Sequence, residues 1–133
     1  MKKLNNKFVY SLKCRKCLIT LSNKAMKSVL LSNYRIKLYS TNDPINTRRS
    51  SYTYITKTCV CLLTNIICRK CGSIVGYNIV RPCYSCLNDK NNGHLWMFDI
   101  LSIYYDIRIN GLKILKWVNN KCEGDNEEEI KIR

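Results

Sequence analysis

The chain has 133 residues, nine of them cysteine, and 23 lysines and arginines against 9 acidic residues give it a formal charge of +14. That length allows one modest domain. No apolar run reaches the roughly 18 residues of a membrane-spanning helix, no apolar stretch of the kind a secretory signal needs follows the first lysines, and the aliphatic and aromatic content excludes a disordered polymer.

In chain order, Phe8, Tyr10 and Leu12 alternate as in a half-buried strand. A Cys14–Cys17 knuckle follows, and Leu18 to Leu21 reads as its return strand. Met26 to Leu31 is a short apolar run, a strand or one helical turn. Ile36 and Leu38 alternate again, and Thr41 to Pro44 carries a turn signal. Residues 45–51, with Arg48 and Arg49, read as an exposed loop. Tyr52 to Ile67 is rich in Thr, Tyr, Val, Ile and Cys at period two and reads as one long strand. A Cys68–Cys71 knuckle with Gly72 ends it, and Ser73 to Val80 is the next strand. Pro82, Cys83 and Cys86 break that strand, and Asn88 to Gly93 is a polar loop. Leu95 to Ile109 and Leu112 to Val118 are β-rich about a turn at Asn110 and Gly111. The pattern predicts one mainly β domain over residues 7–120, with an acidic, mobile tail over 121–133.

Three Cys-x-x-Cys knuckles in a chain with no sign of an oxidising route point to metal rather than disulfides. Each spacing places two sulfurs about one cation, and zinc prefers four such ligands in a tetrahedron. Eight extended residues span about 26 Å, so the Cys68/Cys71 and Cys83/Cys86 knuckles cannot share an ion across the strand between them. Cys14 and Cys17 are the better partners for Cys68 and Cys71, since both pairs flank Arg-Lys and cap strand ends. The first expected site is therefore Cys14, Cys17, Cys68 and Cys71.

Antiparallel pairing of 52–67 with 73–80, at positions summing to about 140, places Cys59 and Cys61 on one face at the same end as Cys83 and Cys86. His94 follows after a loop long enough to fold back. Cys59, Cys61, Cys83, Cys86 and His94 thus compete for four positions around a second zinc. Spacing does not choose among them, and a strand cysteine also packs well as a small apolar residue. Cys122, alone beside the tail, lies outside both sets. Sites rich in thiolate are normally closed, and one His supplies no acid-base pair, so the zincs read as structural and the chain as no enzyme.

The run from Cys68 through Gly72, Gly76 and Tyr77, with Pro82, Cys83, Cys86 and Leu87, then Asn91 to Phe98, resembles family with sequence similarity 72. Met26 to Leu31, Leu38 to Thr41, the Cys59/Cys61 pair and Leu115 to Trp117 look like the same family. The resemblance covers about residues 13–118. A wider resemblance is to the Yippee and cereblon zinc domains, which also join two distant Cys-x-x-Cys knuckles, the second followed by a Gly-aromatic strand. It implies a β-tent, two antiparallel sheets pinned by zinc. The narrower resemblance implies a non-enzymatic adaptor, nuclear and cytoplasmic, that binds and antagonises uracil-DNA glycosylase, with Trp117 and Leu115 as contacts.

The competing expectation is a basic zinc module that binds nucleic acid through its charge, its Arg-Lys knuckles and nearby tyrosines. Such binding would be largely nonspecific. The frequency of Asn and Ile beside Lys favours instead a solvated basic surface exaggerated by compositional bias. No membrane association is expected.

Overall fold

The computed structural model describes residues 8–30, 33–56, 61–83, 94–118 and 121–122. The predicted polar loop at 88–93 lies outside them, as does the tail from 123. Every assigned element among the described residues is a β-strand, and no helix there is long and apolar enough to cross a membrane.

The main strands are β1 (Tyr10–Cys14), β2 (Thr20–Leu30), β3 (Asn33–Thr41), β4 (Thr47–Ile55), β5 (Leu62–Cys68), β6 (Ile74–Arg81), β7 (Trp96–Asp99) and β8 (Ile103–Ile107). They form one antiparallel ladder in the order β4-β5-β6-β7-β3-β2-β1-β8. The two-residue strands β9 (Ile109–Asn110) and β10 (Lys113–Ile114) pair with each other, as do β11 (Trp117–Val118) and β12 (Lys121–Cys122). Gly111, at φ +66°, makes the turn between β9 and β10.

Strand β2 divides the ladder. Its first half, Thr20 to Ala25, pairs with β1, and its second half, from Met26, pairs with β3. The main core shows what the division accomplishes. Tyr10, Leu12 and Cys14 of β1 and Ile103 of β8 join Ile66 and Cys68 of β5 and Val75 of β6 in one buried cluster. These strands stand far apart in ladder order. They share a core because the two halves pack face to face, as in the predicted tent.

Alternation along the strands builds a second layer. Tyr39 and Phe98 face the main core, while their neighbours Leu38 and Met97 pack on the opposite face with Cys61, Leu63 and Ile79. There the chain after β10 covers the sheet, and Val9, Leu115 and Cys122 form a small core with Trp117 against it. Cys122 is therefore packed interior, just beyond the predicted domain end.

Two strand predictions need correction. Residues 45–51 are not a loop, because Thr47 to Ile55 form edge strand β4 against β5. An edge strand exposed on most positions carries no apolar alternation to reveal it. The stretch 52–67 is not one strand either. It doubles back, with Ile55 paired to Leu62, and no Gly or Pro between them marks the reversal. The β5–β6 hairpin pairs Thr64 with Asn78, a shift of two from the predicted register.

Gly76 is required by close approach rather than by its dihedral angles. A Cβ built there would strike the carbonyl of Met97 on β7. We expect Gly76→Ala to separate β6 from β7 and cost more than about 2 kcal/mol, as measured by urea denaturation.

Candidate metal centre

The two Arg-Lys knuckles have the same backbone. Leu18 N–H donates to the Cys14 carbonyl (2.8 Å), and Gly72 N–H donates to the Cys68 carbonyl (2.9 Å). Cys14 N–H donates to Ile19, and Cys68 N–H to Ser73, both at 2.9 Å. The fifth residue is left-handed in each, Leu18 at φ +66° and Gly72 at +79°. The second knuckle uses the residue suited to that conformation, and the first places an exposed leucine in it.

Each knuckle is also tethered sideways. Arg15 donates from its amide to Ser102 and from its guanidinium to the Ile103 carbonyl, both at 3.0 Å, and lies over the Tyr104 ring at 4.4 Å. Arg69 N–H donates to the Asn46 carbonyl (2.8 Å), and the Asn46 amide donates to Thr20 (2.8 Å) at the start of β2.

The tethers bring the tips together. The sulfurs of Cys14, Cys17, Cys68 and Cys71 all lie within 4.8 Å of one another. Cys14 and Cys71 are 3.6 Å apart, and Cys17 and Cys68 are 3.5 Å apart. A tetrahedron with Zn–S bonds of about 2.3 Å has S···S edges of about 3.8 Å. Donor type, number and spacing therefore fit one zinc ion, and these four residues can hold it. Zinc would act there as a cross-link, since four protein sulfurs leave no position open to water.

The thiols differ in acidity. The Ser73 hydroxyl, 2.7 Å from the Cys71 sulfur, and the Ser73 amide lower the Cys71 pKa to about 6. Burial raises Cys14, but the amides of Cys17 and Lys16 outweigh it and leave Cys14 lowered. At Cys17 the Ile19 amide pulls downward, yet burial and the facing sulfurs push the thiol up to about 11. Cys71 is thus the most readily ionised of these thiols, and an arriving cation displaces a proton from Cys17. Ser73, which steadies this charge, was missed in the sequence. Its signal was a hydroxyl two residues beyond a knuckle cysteine.

The second predicted set is not gathered in this way among the described residues. Cys59 and Cys86 lie outside them. Cys83 N–H donates to the Cys61 sulfur (3.3 Å), so those two meet at the end of the β5–β6 hairpin. His94 is buried, with Nδ1 2.8 Å from the Ser40 hydroxyl and its ring 5.4 Å from Trp117.

Of the two predicted contacts, Leu115 is core, 1% exposed, and cannot present a surface. Trp117 is half-buried and donates its indole N–H to the Ala25 carbonyl (3.1 Å).

The family model described as Yippee homolog 2 zinc finger protein matches residues 1–132. The chain belongs to this Yippee family. The fold agrees. The crystal structure of the Mis18 "Yippee-like" domain superposes with a TM-score of 0.55 over 76% of this chain and 98% of that one, at 17% identity. The wider of the two resemblances is the one these matches carry. For a Yippee zinc domain, knuckles that meet across the tent are the expected anchor.

We expect a strong zinc chelator to unfold the protein, because metal binding is folding free energy where the site joins otherwise separate strands. Circular dichroism before and after confirmed metal removal checks this, and an unchanged melting curve contradicts it. Cys68→Ser should abolish the cooperative transition, whereas Cys122→Ser, which disturbs only the small core, should cost about 1–3 kcal/mol.

Proposed function

We propose that this Yippee-family chain is a non-enzymatic adaptor, nuclear and cytoplasmic, that binds uracil-DNA glycosylase and antagonises uracil repair. The observation that best supports a binding module is the closed four-sulfur site, which fixes a surface without offering an open metal position to a substrate. The partner rests on the sequence resemblance from Cys68 to Phe98. The contact surface is the part of Trp117 left uncovered together with its neighbour Val118, which is exposed. An aromatic already held on one edge costs little entropy when its open face docks.

Calorimetry of the zinc-loaded protein against the same organism's uracil-DNA glycosylase tests the reading. We expect a saturable one-to-one isotherm at physiological salt, and Val118→Glu to weaken it about tenfold or more with no change in melting temperature. The absence of heat with folded, metal-replete protein removes this partner.

The adaptor reading includes a second zinc on four of Cys59, Cys61, Cys83, Cys86 and His94. The Cys83–Cys61 contact supports it. Elemental analysis should then find two zinc ions per chain, falling to one in Cys83→Ser. One ion in the unmodified protein would limit the family site to the two Arg-Lys knuckles.

A second reading, nucleic-acid binding, draws on strand β4. Arg48, Tyr52 and Tyr54 are exposed there, and the two tyrosines share one face. An oligonucleotide titrated in the same calorimeter separates the readings.

A further inference from the structure

An open-topped cleft of about 480 Å³ lies beside the metal centre, between Arg15 and Lys16 of the first knuckle, Gly72 to Val75 beyond the second, and Leu101 and Ser102 of the β7–β8 turn. The metal centre and the turn fix its walls. The Ser102 hydroxyl donates to the Asp99 carboxylate (3.1 Å), Ser102 N–H donates to the Asp99 carbonyl (2.9 Å), and Arg15 N–H fastens the turn to the knuckle. This holds Leu101 at the tip, 77% exposed, across from Ile74 at 57%. Two large aliphatic side chains that open to solvent at one cleft mark a recognition surface more than a packing residue does.

The charged side chains that line the cleft are basic. Arg15 and Lys16 line it, no acidic residue does, and among the described residues neither has a carboxylate within ion-pair range. The apolar lining is aliphatic. No aromatic side chain lines the cleft, and Tyr104 nearby in sequence has a face covered by the Arg15 guanidinium, so the lining itself offers a nucleic acid no stacking platform.

We propose that this cleft binds an acidic peptide segment of a partner protein, with an aliphatic side chain inserted between Ile74 and Leu101 and flanking carboxylates on Arg15 and Lys16. The proposal rests on the chain being a protein-binding module, but not on uracil-DNA glycosylase being the partner. Its surface is separate from Trp117, so the calorimetric test above can fail while this one succeeds.

The test is fluorescence anisotropy with a labelled peptide of glutamates flanking two isoleucines, added to the zinc-loaded full chain. We expect saturable binding that weakens about tenfold when serines replace the isoleucines, and about as much in Leu101→Asp or Lys16→Glu. Both substituted residues are exposed, and melting curves confirm that the variants fold. Lys27→Glu, an exposed charge outside the cleft, should change affinity less than about twofold.

Equal affinity for the serine peptide, or an equal loss in Lys27→Glu, would show charge attraction alone and overturn the proposal. So would displacement of the peptide by lower concentrations of oligothymidylate, which would assign the cleft to nucleic acid. Binding that appears only after Glu127, Glu128 and Glu129 are all changed to Gln would make the chain's own acidic segment the occupant and likewise overturn an external partner.

Discussion

Four sulfurs within 4.8 Å of one another join two strands that the hydrogen-bond ladder alone keeps far apart. Cys14 ends β1 and Cys68 ends β5, with β2, β3, β7 and β6 between them in ladder order. The Cys17–Cys68 contact spans 51 residues of sequence. A cross-link over such a loop removes about 4 kcal/mol of unfolded-state entropy by chain-closure arguments. Zinc binding to structural thiolate sites is worth about 10–16 kcal/mol, while a small domain's net stability is about 5–15 kcal/mol. The metal term is therefore as large as the whole margin. The face-to-face core of Tyr39, Phe98, Ile66 and Ile103 depends on the halves being held together at the knuckle end.

How far the sequence disclosed this arrangement follows from which signals are local. Cys-x-x-Cys spacing is local, and the pairing of the two Arg-Lys knuckles followed from the length of one intervening strand. Strand β1, buried on one face, announced itself by the alternation of Tyr10 and Leu12. Strand β4 did not, since an edge strand buries too little to show a period. The fold-back between Ile55 and Leu62 left no mark because the residues of the reversal have the same β-branched composition as the strands. Leu115 and Trp117 are two residues apart, yet one is interior and the other half-covered. Which of them is covered depends on how the chain after β10 lies against Phe8 and Ala25, a tertiary fact that no window of sequence contains. Ser73 was legible in principle, but only to a reader asking what stabilises a thiolate.

The formal charge of +14 also reads differently once its residues are placed. A zinc with four thiolates carries a net charge of −2, so basic residues around it are partly counter-charge. Arg15 and Arg69 spend hydrogen bonds on the Ile103 and Thr47 carbonyls, fastening knuckles to neighbouring strands. These contacts occupy part of each guanidinium, so a count of lysines and arginines overstates the surface available to a polyanion. What distinguishes a recognition surface is charge set beside exposed apolar area, as at Lys16 with Ile74 and Leu101.

Strand β2 ties the metal centre to the rest of the molecule. Its first residue, Thr20, accepts the Asn46 amide that braces the second knuckle. Five residues on, Ala25 accepts the Trp117 indole N–H and packs into the main core. Between Ala25 and Met26 the strand changes partner from β1 to β3. One strut thus carries the metal end, the division of the ladder and the seat of the half-buried tryptophan. Losing the cross-link frees β1 and the first half of β2 from the opposite half of the tent, and with them the backbone carbonyl that orients Trp117. The chain's two candidate recognition surfaces lie apart, yet both inherit their geometry from the same four sulfurs.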